Sequence, residues 1–242
     1  MNELEKIVNN KRVIVVGPSP HLESTGMGDF IDSYDIICRL NEVFPTDLEK
    51  DYGSRTDIVF WNLATNSLNG MKQMILEEKK KSEEIKLVVC PRYSKHVEPG
   101  AYHLKNINTN NDVFKNYQSL GLKNNFFHIG DDENQKLERD IGCHPTTGTL
   151  ALCMLMDCDF EQLYIAGMSF YQTDRKYNLA AQKTLTNANG GVIPASCFNP
   201  RGQCPGHNIP KEVDYLRNKV ANCKHTKGKN ISGDYYFGKT IE

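Results

Sequence analysis

The stretch P-T-T-G-T-L-A-L-C-M-L-M-D-C-D-F-E-Q-L-Y-I-A-G-M-S-F-Y-Q-T-D-R-K-Y, residues 145–177, reads as a loop, a helix, a strand and a second polar loop. Thr146 or Thr147 can cap the helix, because a threonine hydroxyl accepts from a first-turn N–H. Gly148 carries no side chain and lets a ligand approach the backbone closely. Leu150, Ala151, Met154 and Leu155 give the helix an apolar face. Residues 163–166 (L-Y-I-A) then form a short apolar run ending at Gly167, as a buried parallel strand does. Two tyrosines, Tyr171 and Tyr177, follow among hydrogen-bonding groups. Open α/β sheets bind anionic ligands at such a helix N-terminus and strand C-terminal end. An ordinary βα unit with polar loops has the same pattern, so this run alone leaves both readings open.

Working outward, the same punctuation recurs. Residues 2–10 read as a short polar helix. Arg12–Val16 (R-V-I-V-V) is a first buried strand, followed by G-P-S-P, where Gly17 permits a tight turn and Pro18 removes a backbone donor. Further strands are expected at residues 35–38, 57–61, 86–90 and 125–129, and the opening run supplies a sixth. A helix is expected over 68–84 with a charged tail, and another over 210–223 with Pro210 in its first turn. The lysine-containing stretch at 224–229 reads as a weakly basic surface turn. Strands alternating with helices imply an α/β fold: a mostly parallel, Rossmann-like sheet flanked by helices. No repeat or boundary divides the chain, so residues 1–242 are expected to form one domain. Residues 178–206, rich in Gly, Pro and Asn, form a lid-like segment within it.

Composition excludes several functions. Of 242 residues, 39 % are hydrophobic and 24 % charged, ordinary globular values. A formal charge of −1 leaves no footprint for nucleic acid or an acidic membrane surface, so any anionic ligand is held by a local site. No apolar run reaches the length of a membrane span and no apolar leader opens the chain, which points to a cytoplasmic protein. The eight cysteines lie mostly in apolar runs and form no C-x-x-C pair, as expected of buried thiols in a reducing compartment. Cys197 and Cys204, which share a polar loop, are the one redox-capable pair. G-x-G-x-x-G is missing after the first strand, which argues against a dinucleotide oxidoreductase.

Asn41 and Asn62 fall at expected strand ends, where amides can read a nucleoside or simply form turns. His207 follows the lid-like segment and is the leading candidate base, with His144 as its nearest rival. Glu212 can orient His207 or cap a helix. Tyr171 and Tyr177 can donate to a phosphate oxygen as charge develops on a leaving group, or pack by their rings.

These residues, in this order, resemble sialyltransferases. V-I-V-V-G-P-S-P-H-L with G-D-F-I-D-S-Y-D-I-I-C-R-L-N looks like the large sialylmotif of the eukaryotic-type family. P-T-T-G with the following helix and strand looks like the small motif, and His207-N-I-P-K-Glu212 like the very small motif, H-x-x-x-x-E. Bacterial lipooligosaccharide sialyltransferases are also similar. Their F-Y-N matches F-W-N at 60–62, their T-S-G matches Thr146-Thr147-Gly148, and their G-x-x-F-Y with a later tyrosine matches residues 167–177.

The resemblance implies a variant GT-A glycosyltransferase fold and metal-independent, inverting transfer of sialic acid, or a related keto-acid sugar such as Kdo. The sugar would move from a CMP-sugar donor to a glycan or glycolipid hydroxyl. No cofactor is implied beyond that donor substrate. His207 would be the general base, and Tyr171 and Tyr177 would stabilise the departing phosphate. Gly17, Ser19, Asn41, Asn62, Thr146, Thr147, Gly148 and Gly167 would hold CMP, and Glu212 would support the site. Asp157 and Asp159 resemble the metal-binding D-x-D of other glycosyltransferases, but they precede the sixth strand at the opposite sheet edge and read as a helix terminus. Three departures stand out. Pro18 replaces an asparagine, no cysteine precedes Val13, and His144 falls near an arginine of the bacterial enzymes. Pro18 motivates the alternative, a non-catalytic nucleotide- or glycan-binding protein on the same scaffold.

Overall fold

The computed structural model describes residues 1–41, 45, 47–63, 68–91, 113–168, 170 and 208–233. Its centre is a seven-stranded sheet: β1 (Arg12–Val16), β2 (Ile36–Leu40), β3 (Ile58–Phe60), β4 (Leu87–Cys90), β5 (Asn125–His128), β6 (Gln162–Ala166) and β7 (Asn230–Gly233). The spatial order is β5-β4-β3-β2-β1-β6-β7 and every neighbouring pair is parallel. The chain moves from β1 out to β5 and then returns to the other side of β1. The order therefore reverses between β1 and β6, which opens a crevice at their C-terminal ends.

Strand period two divides the core. Val13, Val15, Cys38, Leu40, Ile58, Phe60, Leu87, Val89, Leu163 and Ile165 face one side. There they pack under α1 (Glu3–Val8), α8 (Thr147–Asp157) and α9 (Ile209–Lys227). On the other side, Ile14, Val16, Ile37 and Ala166 meet Ile31 of α2 (Gly28–Asp32), Tyr34, and Tyr52 of α3 (Glu49–Tyr52). Val59, Trp61, Val88 and Cys90 meet Leu68 and Ile75 of α4 (Leu68–Glu77) and Tyr117 of α6 (Val113–Ser119). Burying both faces explains why these strands are continuous apolar runs.

The differences from expectation are local. The helix expected over 68–84 is two, α4 and α5 (Lys79–Glu83), because Glu78 leaves helical geometry at φ −115° and ψ 42°. The helix expected to end at 223 runs on to Lys227, so most of the supposed basic turn is its last turn. Lys224, His225 and Lys227 lie against the negative end of its dipole, and Gly228 stops it in the left-handed conformation at φ 61°. A seventh strand, β7, pairs along β6. The helix α7 (Asp131–Ile141) is also additional. α8 has no single apolar face, since Thr149 through Met156 are all buried. The segment expected as a lid, 178–206, lies outside the described residues. No helix among the described residues is long and apolar enough to cross a membrane.

Candidate active site

At the reversal point the turns after β1 and β6 touch. Gly17 N–H donates to Ala166 O (2.8 Å) and Ser19 N–H to Gly167 O (3.0 Å). A Cβ placed on Gly17 would stand 2.4 Å from Gly167 O, and one on Gly167 would stand 2.5 Å from Gly17 O. Gly167 also holds φ +64°, which a side chain resists. Both glycines are thus required by the contact between two loops, a role independent of any ligand.

Met168 extends this contact. Its side chain would meet a Cβ on Gly17 at 2.8 Å and one on Gly148 at 2.9 Å, while Leu40, at the end of β2, stands 3.4 Å from the same Gly148 position. The turn after β1 and the start of α8 therefore meet the Met168 side chain, with the end of β2 packed beside the same glycine of α8. Nothing in the sequence singles out Met168 from other apolar residues.

α8 begins on Thr146, whose hydroxyl accepts from Thr149 N–H at 3.2 Å. Of the two threonines offered as the cap, Thr146 is the one used. Glu212, in the first turn of α9, is fully buried. Its Oε2 accepts from Thr146 N–H (2.8 Å), Thr146 Oγ1 (2.8 Å) and Thr149 Oγ1 (2.5 Å). Glu212 therefore caps a helix, but that helix is α8 and not its own. This arrangement fixes the T-T-G turn with its N–H groups at the positive end of the α8 dipole, a ready anion site. Asn208, the residue after His207, lies beside the same turn, where its carbonyl is 3.8 Å from Cys143 Sγ. Nearby, Lys211 Nζ donates to Gly142 O at 3.0 Å.

Asn41 and Asn62 are brought together. Asn41 N–H donates to Phe60 O (2.9 Å), and Asn41 Oδ1 accepts from Asn62 N–H at 3.4 Å. The Trp61 indole N–H donates to Asn41 O. Asn41 (φ 56°), Leu63 (φ 48°) and Phe170 (φ 47°) all adopt left-handed backbone just past strand ends. For Leu63 and Phe170, which lack a short polar side chain and are buried in the core, this is a strained conformation.

Arg39, in the R-L-N run that closes the large-motif stretch, is fully buried on β2 between two apolar clusters. Its Nε donates to Thr56 Oγ1 (2.9 Å), and its Nη2 donates to the carbonyls of Tyr52 (2.9 Å), Gly53 (3.0 Å) and Arg55 (2.9 Å). The Tyr52 hydroxyl in turn donates to Ser19 O at 2.6 Å. Arg39 thus holds the segment that holds Ser19. Asp157 and Asp159 sit at the far edge, paired with Lys219 (2.7 Å) and Lys229 (2.6 Å), as a helix terminus would be. His144 is buried, with Nδ1 3.5 Å from Glu138 Oε1. His207, Tyr171 and Tyr177 lie outside the described residues.

The fold is similar to that of known sialyltransferases. A tyrosine-to-phenylalanine variant of the sialyltransferase CST-II in complex with CMP shares 17 % identity and a TM-score of 0.52, over 92 % of this chain and 80 % of that one. The apo α-2,3-sialyltransferase from Campylobacter jejuni shares 15 % identity and a TM-score of 0.51, over 95 % and 78 %. At such identities the likeness concerns the fold. A comparison with curated proteins finds no match. Residues 4–174, well over half of the chain, match glycosyltransferase family 29 (sialyltransferase). The T-T-G turn, the paired asparagines and the β1–β6 crossing all fall within that span, and the chain belongs to this family of CMP-sugar-using glycosyltransferases.

Proposed function

We propose that the protein transfers sialic acid, or a related keto-acid sugar, from CMP to a glycan or glycolipid hydroxyl, with inversion and without a metal. The observation that carries this is the convergence, at the sheet's reversal point, of the Glu212-pinned T-T-G turn with the ends of β1, β2, β3 and β6. N–H groups at the start of α8 meet the phosphate, while Asn41 and Asn62 read the nucleoside. Gly17 and Gly167 keep the floor narrow, and Ser19 borders it.

His207 accepts the proton of the acceptor hydroxyl as that oxygen attacks the anomeric carbon. The bond from that carbon to the phosphate oxygen breaks with its electron pair leaving on CMP. Tyr171 and Tyr177 donate to the phosphate as its charge grows. Asn208 beside Cys143 supports bringing the start of the H-x-x-x-x-E motif to the T-T-G turn. Pairing of Asp157 and Asp159 with lysines supports a mechanism in which the D-C-D triplet holds no metal. Residues 178–206, within a single domain, cover the bound donor and limit its hydrolysis. Among the described residues, five buried free thiols and a half-buried sixth support a reducing, cytoplasmic setting.

The test is CMP release from CMP-sialic acid and from CMP-Kdo, with and without a chelator. Release from one of them, undiminished by the chelator and lowered about 10²- to 10⁴-fold in His207→Ala, is the expected result. CMP binding without release would favour the non-catalytic alternative, and unchanged release in His207→Ala would remove the base assignment.

A further inference from the structure

The run F-W-N at 60–62 engages every polar group of Asn41 except its amide NH2. Asn41 N–H donates to Phe60 O (2.9 Å), Asn41 O accepts from the Trp61 indole N–H, and Asn41 Oδ1 accepts from Asn62 N–H (3.4 Å). The two backbone bonds fix the peptide planes on either side of Asn41, and with them the direction of its side chain. The third fixes the amide, which cannot turn over without losing its bond to Asn62 N–H. What the half-buried Asn41 presents past the end of β2 is therefore a donor, and that NH2 has no partner among the described residues. The left-handed backbone this requires, φ 56°, is one that asparagine visits more readily than most side chains.

Trp61 is anchored independently of Asn41. It is fully buried, its backbone N–H donates to Val89 O of β4 (2.8 Å), and its ring packs in the cluster that holds Val59, Leu63, Leu68 and Ile75. An indole has one N–H and no acceptor, and this one is directed at Asn41 O. The core under α4 thus reaches the backbone of a site residue through a single ring. We propose that Trp61 is a positioning residue for the nucleotide donor: by holding the Asn41 carbonyl, its indole N–H aims the Asn41 amide NH2 at an acceptor atom of the nucleoside. This rests on the CMP-sugar donor proposed above.

The experiment measures CMP affinity by calorimetry, CMP-sugar turnover and Tm for the wild type, Trp61→Phe, Trp61→His, Asn41→Ala and the Trp61→Phe, Asn41→Ala double variant. Phenylalanine keeps an aromatic ring in the core without the donor. Histidine keeps a five-membered ring whose Nε2–H takes the place of the indole N–H, but fills less of the core. Trp61→Phe is expected to raise both the Kd for CMP and the KM for the CMP-sugar about tenfold, the loss of one net hydrogen bond, with kcat within about twofold. Trp61→His loses more Tm than Trp61→Phe yet recovers most of the affinity, so stability and binding fall in opposite orders. Asn41→Ala binds CMP no better than Trp61→Phe, and the double variant is no weaker than Asn41→Ala, because the indole acts only through Asn41. Should a ring variant not fold, the chain's one tryptophan can be replaced by its benzothiophene analogue, in which sulfur stands for N–H, with the same rise in Kd expected.

Unchanged Kd and KM in a folded Trp61→Phe or benzothiophene protein overturns the inference and leaves the CMP-sugar donor standing. So does a Kd that simply follows Tm across the ring variants, which marks a purely structural tryptophan, and so do additive losses in the double variant. A wild-type protein that binds no CMP and releases none from CMP-sugars overturns the donor assignment as well.

Discussion

The two ends of α8 show the same chemistry put to opposite uses. At its start, one carboxylate is fully buried and accepts three hydrogen bonds from a backbone N–H and two threonine hydroxyls. At its finish, the exposed carboxylates of Asp157 and Asp159 meet two largely buried lysine side chains, with Asp159 83 % exposed. The buried end is where a loss would be felt, because each group there has given up water and has its replacement supplied by the protein. The exposed end trades one set of strong hydrogen bonds for another, and its net contribution is small. Carboxylates therefore do not mark the site by their presence, as the D-C-D triplet would suggest. They mark it by what surrounds them.

The sharpest way to break this contrast is Glu212→Ala. It strands the Thr146 N–H and leaves two buried hydroxyls to re-pair, so it should destabilise the protein by about 4 kcal/mol. Urea unfolding measures this, and Glu212→Gln, which keeps one acceptor oxygen, should recover part of the loss. CMP affinity should fall in both variants, since the T-T-G turn is no longer fixed. A loss below about 1 kcal/mol for the alanine variant would mean that the turn holds its shape without Glu212.

Gly17→Ala comes next. The new methyl would stand 2.4 Å from Gly167 O, against backbone that cannot rotate away. Separating the β1 and β6 turns should cost about 2 kcal/mol and weaken CMP binding together with stability. Gly26→Ala is the control: Gly26 holds φ +68° but its Cβ would meet nothing within 4 Å. Gly26→Ala should therefore lose some stability and leave CMP binding alone. Equal effects on binding would show that a general loss of stability, and not the crossing of the two turns, lowers CMP affinity.

Much of this layout is legible in the sequence because buried parallel strands announce themselves. R-V-I-V-V, K-L-V-V-C and L-Y-I-A are short, β-branched or apolar, and bounded by polar residues or glycine. β7 is not legible, since N-I-S-G offers one buried apolar residue, Ile231, and lies on the sheet's edge. α7 hides behind its charge, burying little more than Asn134 and Ile141. Within the site, Gly17, Thr146, Thr147, Gly148 and Gly167 stand out because tight turns and helix starts select those residue types locally. Met168 and Thr149 do not stand out. Each acts through a partner in another segment or by a choice of rotamer, and no spacing rule encodes either. Glu212 is the intermediate case: the motif points to it, but its partners lie 63 and 66 residues away.

The smallest effect belongs to the exposed end. The hydrogen bond from Lys229, and then its charge, hold the Asp159 carboxyl below the usual aspartate range. A carboxyl lowered on folding adds stability above its unfolded value, about 3.9, and that contribution disappears as the pH falls through the folded value. The urea midpoints of the wild type and Asp159→Asn should therefore differ slightly at pH 7, by a constant amount down to about pH 5, and converge only in stronger acid. Raising the salt should shrink the gap, since an exposed pair is screened. The double variant Asp157→Asn, Asp159→Asn should also release CMP from a CMP-sugar as fast as the wild type does. A slowed release that added metal ion restores would reverse the comparison, making the D-C-D end of α8 a second place where this helix meets the reaction.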